Sequence, residues 1–264
     1  MAEPVALALI ALQLTLVVAL RYLGVSALFA WIAARLRPEV YRPADPARRA
    51  RLRIQVRREV GWSLLSAGLY AAPAALAFAA FERGGTRLYT DVSALPLWWL
   101  PVSVLVYLLA HDAWFYWSHR AMHHWPALFR AMHAVHHESR PPTAFASMSF
   151  HPWEALSAAW LYPAMVFLVP IHVGALLVVL LIATVMAVTN HMGVELFPKA
   201  WVNGRFGRHV ITASHHDLHH SRYTANYGLY FRFWDRLFGT DAGLSTRVQP
   251  PFGADHPGPE GVGR

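Results

Sequence analysis

The 264-residue sequence contains no cysteine, only one lysine (Lys199), and 14% charged residues. Without cysteine there is no disulfide framework and no thiolate metal site. Soluble domains carry about 25% charged residues, so this chain has too little charge to clothe a globule in water. Its hydrophobic content of 56% and mean hydropathy of +0.30 exclude disorder as well, and point to a membrane protein. Acid is also scarce: 15 Asp and Glu stand against 23 Lys and Arg, a net charge of +8. A basic patch can mark nucleic-acid binding, but on so apolar a chain it suits a membrane flank, and no nucleic-acid partner is expected.

What the chain has instead is arginine and histidine in clusters. Nine arginines lie between Arg35 and Arg58, and 15 of the 16 histidines lie between His111 and His220. Uncharged runs cover residues 5–20, 22–34, 60–81, 92–110 and 155–190. The first two form one long tilted helix, or a span followed by an interfacial helix. As a single helix the 36-residue run would measure about 54 Å, against a hydrocarbon core of about 30 Å. It is therefore read as a hairpin bent around Pro170–Gly174. The arginines place residues 35–58 in the cytoplasm by the positive-inside rule. Counting spans from there brings the chain back to that side at His111 and again at His191. The predicted fold is all-α: an integral-membrane helical bundle of about four to five spans with a cytoplasmic, histidine-rich helical cap. The chain divides into an N-terminal membrane segment and Arg-rich loop (1–54), a catalytic unit (55–241) and a flexible Pro/Gly-rich tail (242–264). The arginine-to-lysine ratio suggests a GC-rich bacterial genome, and so an inner membrane.

Three histidine clusters carry the chemistry. In HDAWFYWSHRAMHH, His119 and His123 are spaced i, i+4 and share a helical face, which Asp112 and Tyr116 extend. HAVHH gives His133, His136 and His137, and HHDLHH gives His216, His219 and His220, both at i, i+3 and i+4 spacing. His151 in FHPWE and His191 in NHMG are isolated candidates. So many buried imidazoles are costly without partners. A metal supplies the partner, and imidazole suits Zn, Cu, Fe and Ni. Eight cluster positions exceed the three or four ligands of one zinc site and suggest two metals. The Glu and Glu-x-x-His pattern of carboxylate-bridged di-iron bundles is absent. Iron with open positions can activate O2, which beside a bilayer suggests attack on lipid C–H bonds.

These boxes, with FHPWEA, NHMG and HHDLHHSRYTANYGLYFRFWDRLFGT, resemble the fatty acid hydroxylase/sterol desaturase superfamily. They keep that family's order and approximate spacing over residues 55–241. RREVGWSLLS, residues 57–66, resembles the segment preceding the boxes in the sterol C-5 desaturase branch. The resemblance implies a di-iron membrane oxidase using O2 and electrons from a separate reductase chain, acting on a sterol, acyl chain, carotenoid or other lipid. It implies iron ligation by His119, His123, His133, His136, His137, His216, His219 and His220, with His151 and His191 as further ligands. His111 and His215 are either ligands or supports. Asp112 and Asp217 are the expected carboxylate partners of ligand imidazoles; Tyr116 is either such a residue or packing. Asn226, Tyr227 and WDRLFGT read as structural, and His124, His172, His209 and His256 as non-ligands. The competing class is a histidine-rich metal transporter or metal-binding protein, whose ligands should line a transmembrane path.

Overall fold

A computed structural model describes residues 2–248, so His256 and most of the expected tail lie outside the described residues. The elements in order are α1 (Ala2–Leu36), α2 (Pro38–Tyr41), α3 (Pro46–Glu82), β1 (Leu88–Tyr89), α4 (Trp99–His124), α5 (Pro126–Leu128), α6 (Pro152–Ala159), α7 (Leu161–Leu168), β2 (Ile171–His172), α8 (Val173–His191), α9 (Lys199–Val202), α10 (Ala213–Arg222) and α11 (Phe233–Leu237). Short π and 3-10 turns connect α5 to α6. The molecule is an all-α membrane bundle. Three of its helices, Pro4–Leu36, Pro46–Glu82 and Val173–His191, are long and apolar enough to cross a bilayer.

Local chemistry explains the boundaries. Asp45 caps α3, its carboxylate accepting from the Ala47 and Arg48 amides at 3.0 and 3.2 Å, with Pro46 at the first helical position. The run at 92–110 is helical only from Trp99. Pro96 disfavours helix at the residue before it, and the Asp91 side chain accepts from the Ser93 amide at 2.9 Å in a local turn. The apolar part of α4, residues 99–110, is thus roughly 18 Å long and continues directly into the first histidine cluster. The 155–190 run is a hairpin, but its first arm is broken into α6 and α7. His172 lies in the bend, where Nδ1 accepts from the Gly174 amide at 3.0 Å and Nε2 donates to the Thr90 carbonyl at 3.0 Å. A Cβ on Gly174 would sit 3.1 Å from that Nδ1, so the cap favours glycine.

Hydrogen bonds show which ends of the helices lie together. The α3–α4 and α7–α8 connections meet through a short parallel ladder, Leu88 with Ile171 and Tyr89 with His172. The Arg87 amide donates to Val166 O, Trp99 Nε1 to Pro170 O and the Tyr107 hydroxyl to Val169 O, at 2.7–3.0 Å. A core of Tyr107, Leu161, Met165, Val166, Ile171 and Val179 packs beneath them.

The opposite end carries the arginines and the histidine loops. Arg58 donates to the Glu138 carbonyl at 2.9 Å, Gln55 to Pro141 O at 2.7 Å and the Tyr41 hydroxyl to Met192 O at 3.0 Å. Buried Glu59 accepts from Gln55 and from the Thr143 hydroxyl, tying the 139–148 loop to α3. The histidine segments and the Arg-rich segment therefore share one end of the bundle.

The cysteine-free chain allows a direct test. Ser93→Cys and Arg222→Cys, both at exposed positions, should react with a membrane-impermeant maleimide from opposite sides of sealed vesicles. Labelling of both from one side would contradict this topology.

Candidate metal centre

Nine histidines converge in two groups. His119, His123, His133, His137 and His219 form the first; His136, His191, His216 and His220 form the second. Within each group one ring nitrogen from every residue lies within 4.8 Å of the others. All are buried except His123, which is partly so. The groups adjoin: the His137 ring centroid is 4.5 Å from that of His220.

The local helix geometry sorts them. On α4, His119 and His123 point the same way, whereas His124 is exposed. HAVHH is not α-helical. Residues 129–133 form a π-helical turn and 136–138 a 3-10 turn, so His133 and His137 enter the first group while His136 enters the second. Such π turns often mark functional sites. On α10, His216 and His220 (i, i+4) face the second group, and His219, rotated away from both, faces the first. The sequence reading put each cluster on one face; the structure keeps His119 and His123 together in the first group but divides each of the other two clusters between both groups.

Hydrogen bonds fix which nitrogen faces inward. Nδ1 of His119 donates to Tyr227 O at 2.9 Å, that of His219 to Ala225 O at 2.8 Å and that of His191 to Ala187 O at 2.6 Å. His133 Nδ1 meets Glu154 Oε1 at 2.7 Å. With Nδ1 protonated, each presents the Nε2 lone pair. The inward nitrogens face one another: His137 Nε2 is 3.1 Å from His123 Nε2 and from His219 Nε2, and His191 Nε2 is 3.0 Å from His136 Nε2 and 2.9 Å from His216 Nε2. Nε2 of His119 and His133, and both nitrogens of His220, are buried without a partner among the described residues. Burial, then neighbouring imidazoles, holds His133, His137, His216, His219 and His220 well below the usual histidine range. They are neutral, the form that binds metal. Nitrogens this close together can share one ion, and an all-imidazole set suits iron as well as zinc or copper.

The supports differ from those expected. Asp112 accepts from the Tyr230 and Phe231 amides at 2.8 and 3.3 Å. Asp217 holds Ser245 and Arg247, and the Tyr116 hydroxyl meets Thr240 at 3.0 Å. None of the three touches a clustered imidazole; each ties a helix to the C-terminal segment. The carboxylate that does so is Glu154. It lies three residues after His151 and just before the 36-residue uncharged run, an isolated carboxylate at the edge of an apolar segment. His151 itself joins neither group; it begins α6, with Nδ1 accepting from the Trp153 amide at 3.4 Å. His215 completes a capping box on α10, Nδ1 accepting from the Thr212 amide at 3.3 Å. His111 Nδ1 lies 2.7 and 2.6 Å from the hydroxyls of Tyr230 and Tyr162. His209 is exposed.

The ANYG and WDRLFGT stretches present the two carbonyls. Asp235 accepts from the Tyr227 and Gly228 amides at 2.8 and 2.9 Å and from Thr240 Oγ1 at 2.7 Å. Asn226, at φ 58°, donates to His215 O and Gly243 O. A Cβ on Gly228 would lie 2.7 Å from the Phe231 carbonyl, so only glycine fits the turn.

The family model for fatty acid hydroxylases matches residues 104–240, which include all nine histidines. The chain belongs to the fatty acid hydroxylase family. Its curated relatives match the sterol C-5 desaturase-like branch. The mouse protein "Lathosterol oxidase" is 32% identical over 194 residues, 72% of this chain and 62% of the relative. A "Delta(7)-sterol 5(6)-desaturase" of Gibberella zeae is 29% identical over 64% of this chain and 50% of its own length. A "Methylsterol monooxygenase" of Aspergillus fumigatus is 30% identical over 58% and 52%. The chain thus spans roughly half to three-fifths of these relatives. No solved structure matches it.

Burial of neutral histidines has a pH signature in metal-stripped protein. Above about pH 6.5 they are neutral folded and unfolded alike and contribute no pH dependence. Below it the unfolded chain takes up protons that the folded chain refuses. Stability should then fall by about 1.4 kcal/mol per pH unit for each such histidine. Thermal unfolding in detergent should therefore occur at lower temperature at pH 5.5 than at pH 7.5. An unchanged midpoint would contradict the buried neutral state.

Proposed function

We propose that this protein is a membrane-bound di-iron lipid oxidase that hydroxylates or desaturates a C–H bond of a sterol-like, acyl or other isoprenoid lipid. The convergence of nine imidazoles in two adjoining groups supports this reading most directly. The names of two relatives, a lathosterol oxidase and a methylsterol monooxygenase, support it as well. His119, His123, His133, His137 and His219 would hold one iron, and His136, His191, His216 and His220 the other. Bound iron would supply O2 activation and electron transfer. Hydroxylation consumes the lipid, O2, two electrons and two protons, and yields alcohol and one water. Desaturation consumes the same inputs and yields an alkene and two waters. The electrons come from a separate reductase or carrier.

The chain's own residues supply position and dryness. Glu154 and the carbonyls of residues 187, 225 and 227 hold four imidazoles in one tautomer and orientation, the usual way ligand rings are fixed. A cavity of about 130 Å³ borders His133, His136 and His191, with apolar walls that include Met122, Phe150, Leu180 and Ala183. It can admit a lipid carbon, exclude water and hold that carbon oriented, the condition that decides between oxygen insertion and a second hydrogen removal. The Arg-rich segment at the same end supports a cytoplasmic site by the positive-inside rule. The bacterial inner membrane is our reading from the arginine-to-lysine ratio alone, since the relatives named above are eukaryotic. A transporter would string its ligands along the spans; here both groups sit together at one end.

His137→Ala should abolish lipid oxidation in a reductase-coupled assay and lower bound iron. Glu154→Gln keeps every imidazole, and should weaken metal retention about 10- to 100-fold on chelator titration. Full activity and full metal in His137→Ala would contradict the assignment.

A further inference from the structure

The cavity beside the histidines has polar walls that O2 activation does not require. Arg21 of α1 lines it. This residue lies near the middle of the Pro4–Leu36 apolar helix, where a charge is expensive and marks function by default. Its guanidinium Nε is buried with no partner among the described residues. The phenols of Tyr162 and Tyr70 are the titratable groups that bear on it, and no carboxylate pairs with it among the described ion pairs. Trp114 faces the same cavity, and its Nε1 is also buried and unpartnered among the described residues. Guanidinium and indole N–H groups only donate. A hydrocarbon entering this space would leave both unpaired; an oxygen would not.

We propose that Arg21 and Trp114 bind the oxygen-bearing headgroup of the lipid substrate, a hydroxyl or a carboxylate, while the apolar walls take the adjoining hydrocarbon. The assignment rests on the lipid-oxidase reading for the identity of the occupant. It makes Arg21, outside the family-matched residues 104–240, a binding residue of the same site. Headgroup and metal ligands then border one cavity, so the polar end of the lipid is held beside the reacting centre.

The test is retention of lipid by the purified full chain released from detergent in native mass spectrometry. The probes are oleate, oleyl alcohol and 1-octadecene, which share a chain length and differ at one end. Wild type should retain oleate or oleyl alcohol at least about tenfold better than octadecene, and Arg21→Gln should lose about that advantage. Preference for oleate would assign a carboxylate, and preference for the alcohol a hydroxyl. Equal retention of octadecene would overturn the proposal, since the donors would then be served by water. Unchanged selectivity in Arg21→Gln would overturn it equally. Should that variant fail to fold, Trp114→Phe, which keeps a ring and removes the donor, must show reduced selectivity. Binding needs neither iron nor reductant. A chain that selects the headgroup yet oxidises no lipid would contradict the lipid-oxidase reading and leave this one standing.

Discussion

A neutral imidazole offers one lone pair, and two lone pairs facing each other at about 3 Å repel unless a proton or a cation lies between them. That constraint governs this protein. Inward nitrogens stand 2.9–3.1 Å apart in both histidine groups, and burial keeps the rings outside the membrane-spanning helices from taking up protons. A ring proton on one nitrogen of a pair, or a cation shared by the group, completes the arrangement. Much of the surrounding structure serves to hold these rings close enough to share one.

The supports come from every part of the chain. The carbonyls at 225 and 227 are held by Asp235, Asn226 and a turn that only Gly228 fits. Glu154 enters from the hairpin's first arm, and Ala187 O from its second. The hairpin is pinned at its far end by the Leu88–Ile171 ladder and the Tyr107 hydroxyl. At the near end, Glu59, Gln55 and Thr143 fasten the loop that follows HAVHH. Packing between apolar helices supplies a rigid frame, and hydrogen bonds at its ends set ring orientation.

The sequence reveals much of this because its strongest signals are compositional. Scarce charge and long apolar runs mark the membrane bundle, and the arginines agree with the end at which the histidines gather. Nine of the ten histidines read as ligands come together. What escaped the sequence depends on three-dimensional supports. Periodicity treats HAVHH as α-helix, whereas a π turn and a 3-10 turn divide its rings between two groups. Asp112 and Asp217 are adjacent to cluster residues in sequence but point at backbone amides and at Arg247. The contact to His133 instead comes from Glu154, 21 residues away. Backbone carbonyls carry no residue-type signal at all. Arg21 reads as an interruption in an apolar run until α1 packs against α3 and turns it toward the cavity.

The central claim is that each histidine group holds a metal ion, and iron in particular. The decisive measurement is the number of iron atoms per chain in detergent-purified protein after anaerobic iron reconstitution, by elemental mass spectrometry. Two histidine groups predict two irons per chain. One iron would contradict the two-site arrangement, and no bound metal after reconstitution would contradict the account as a whole.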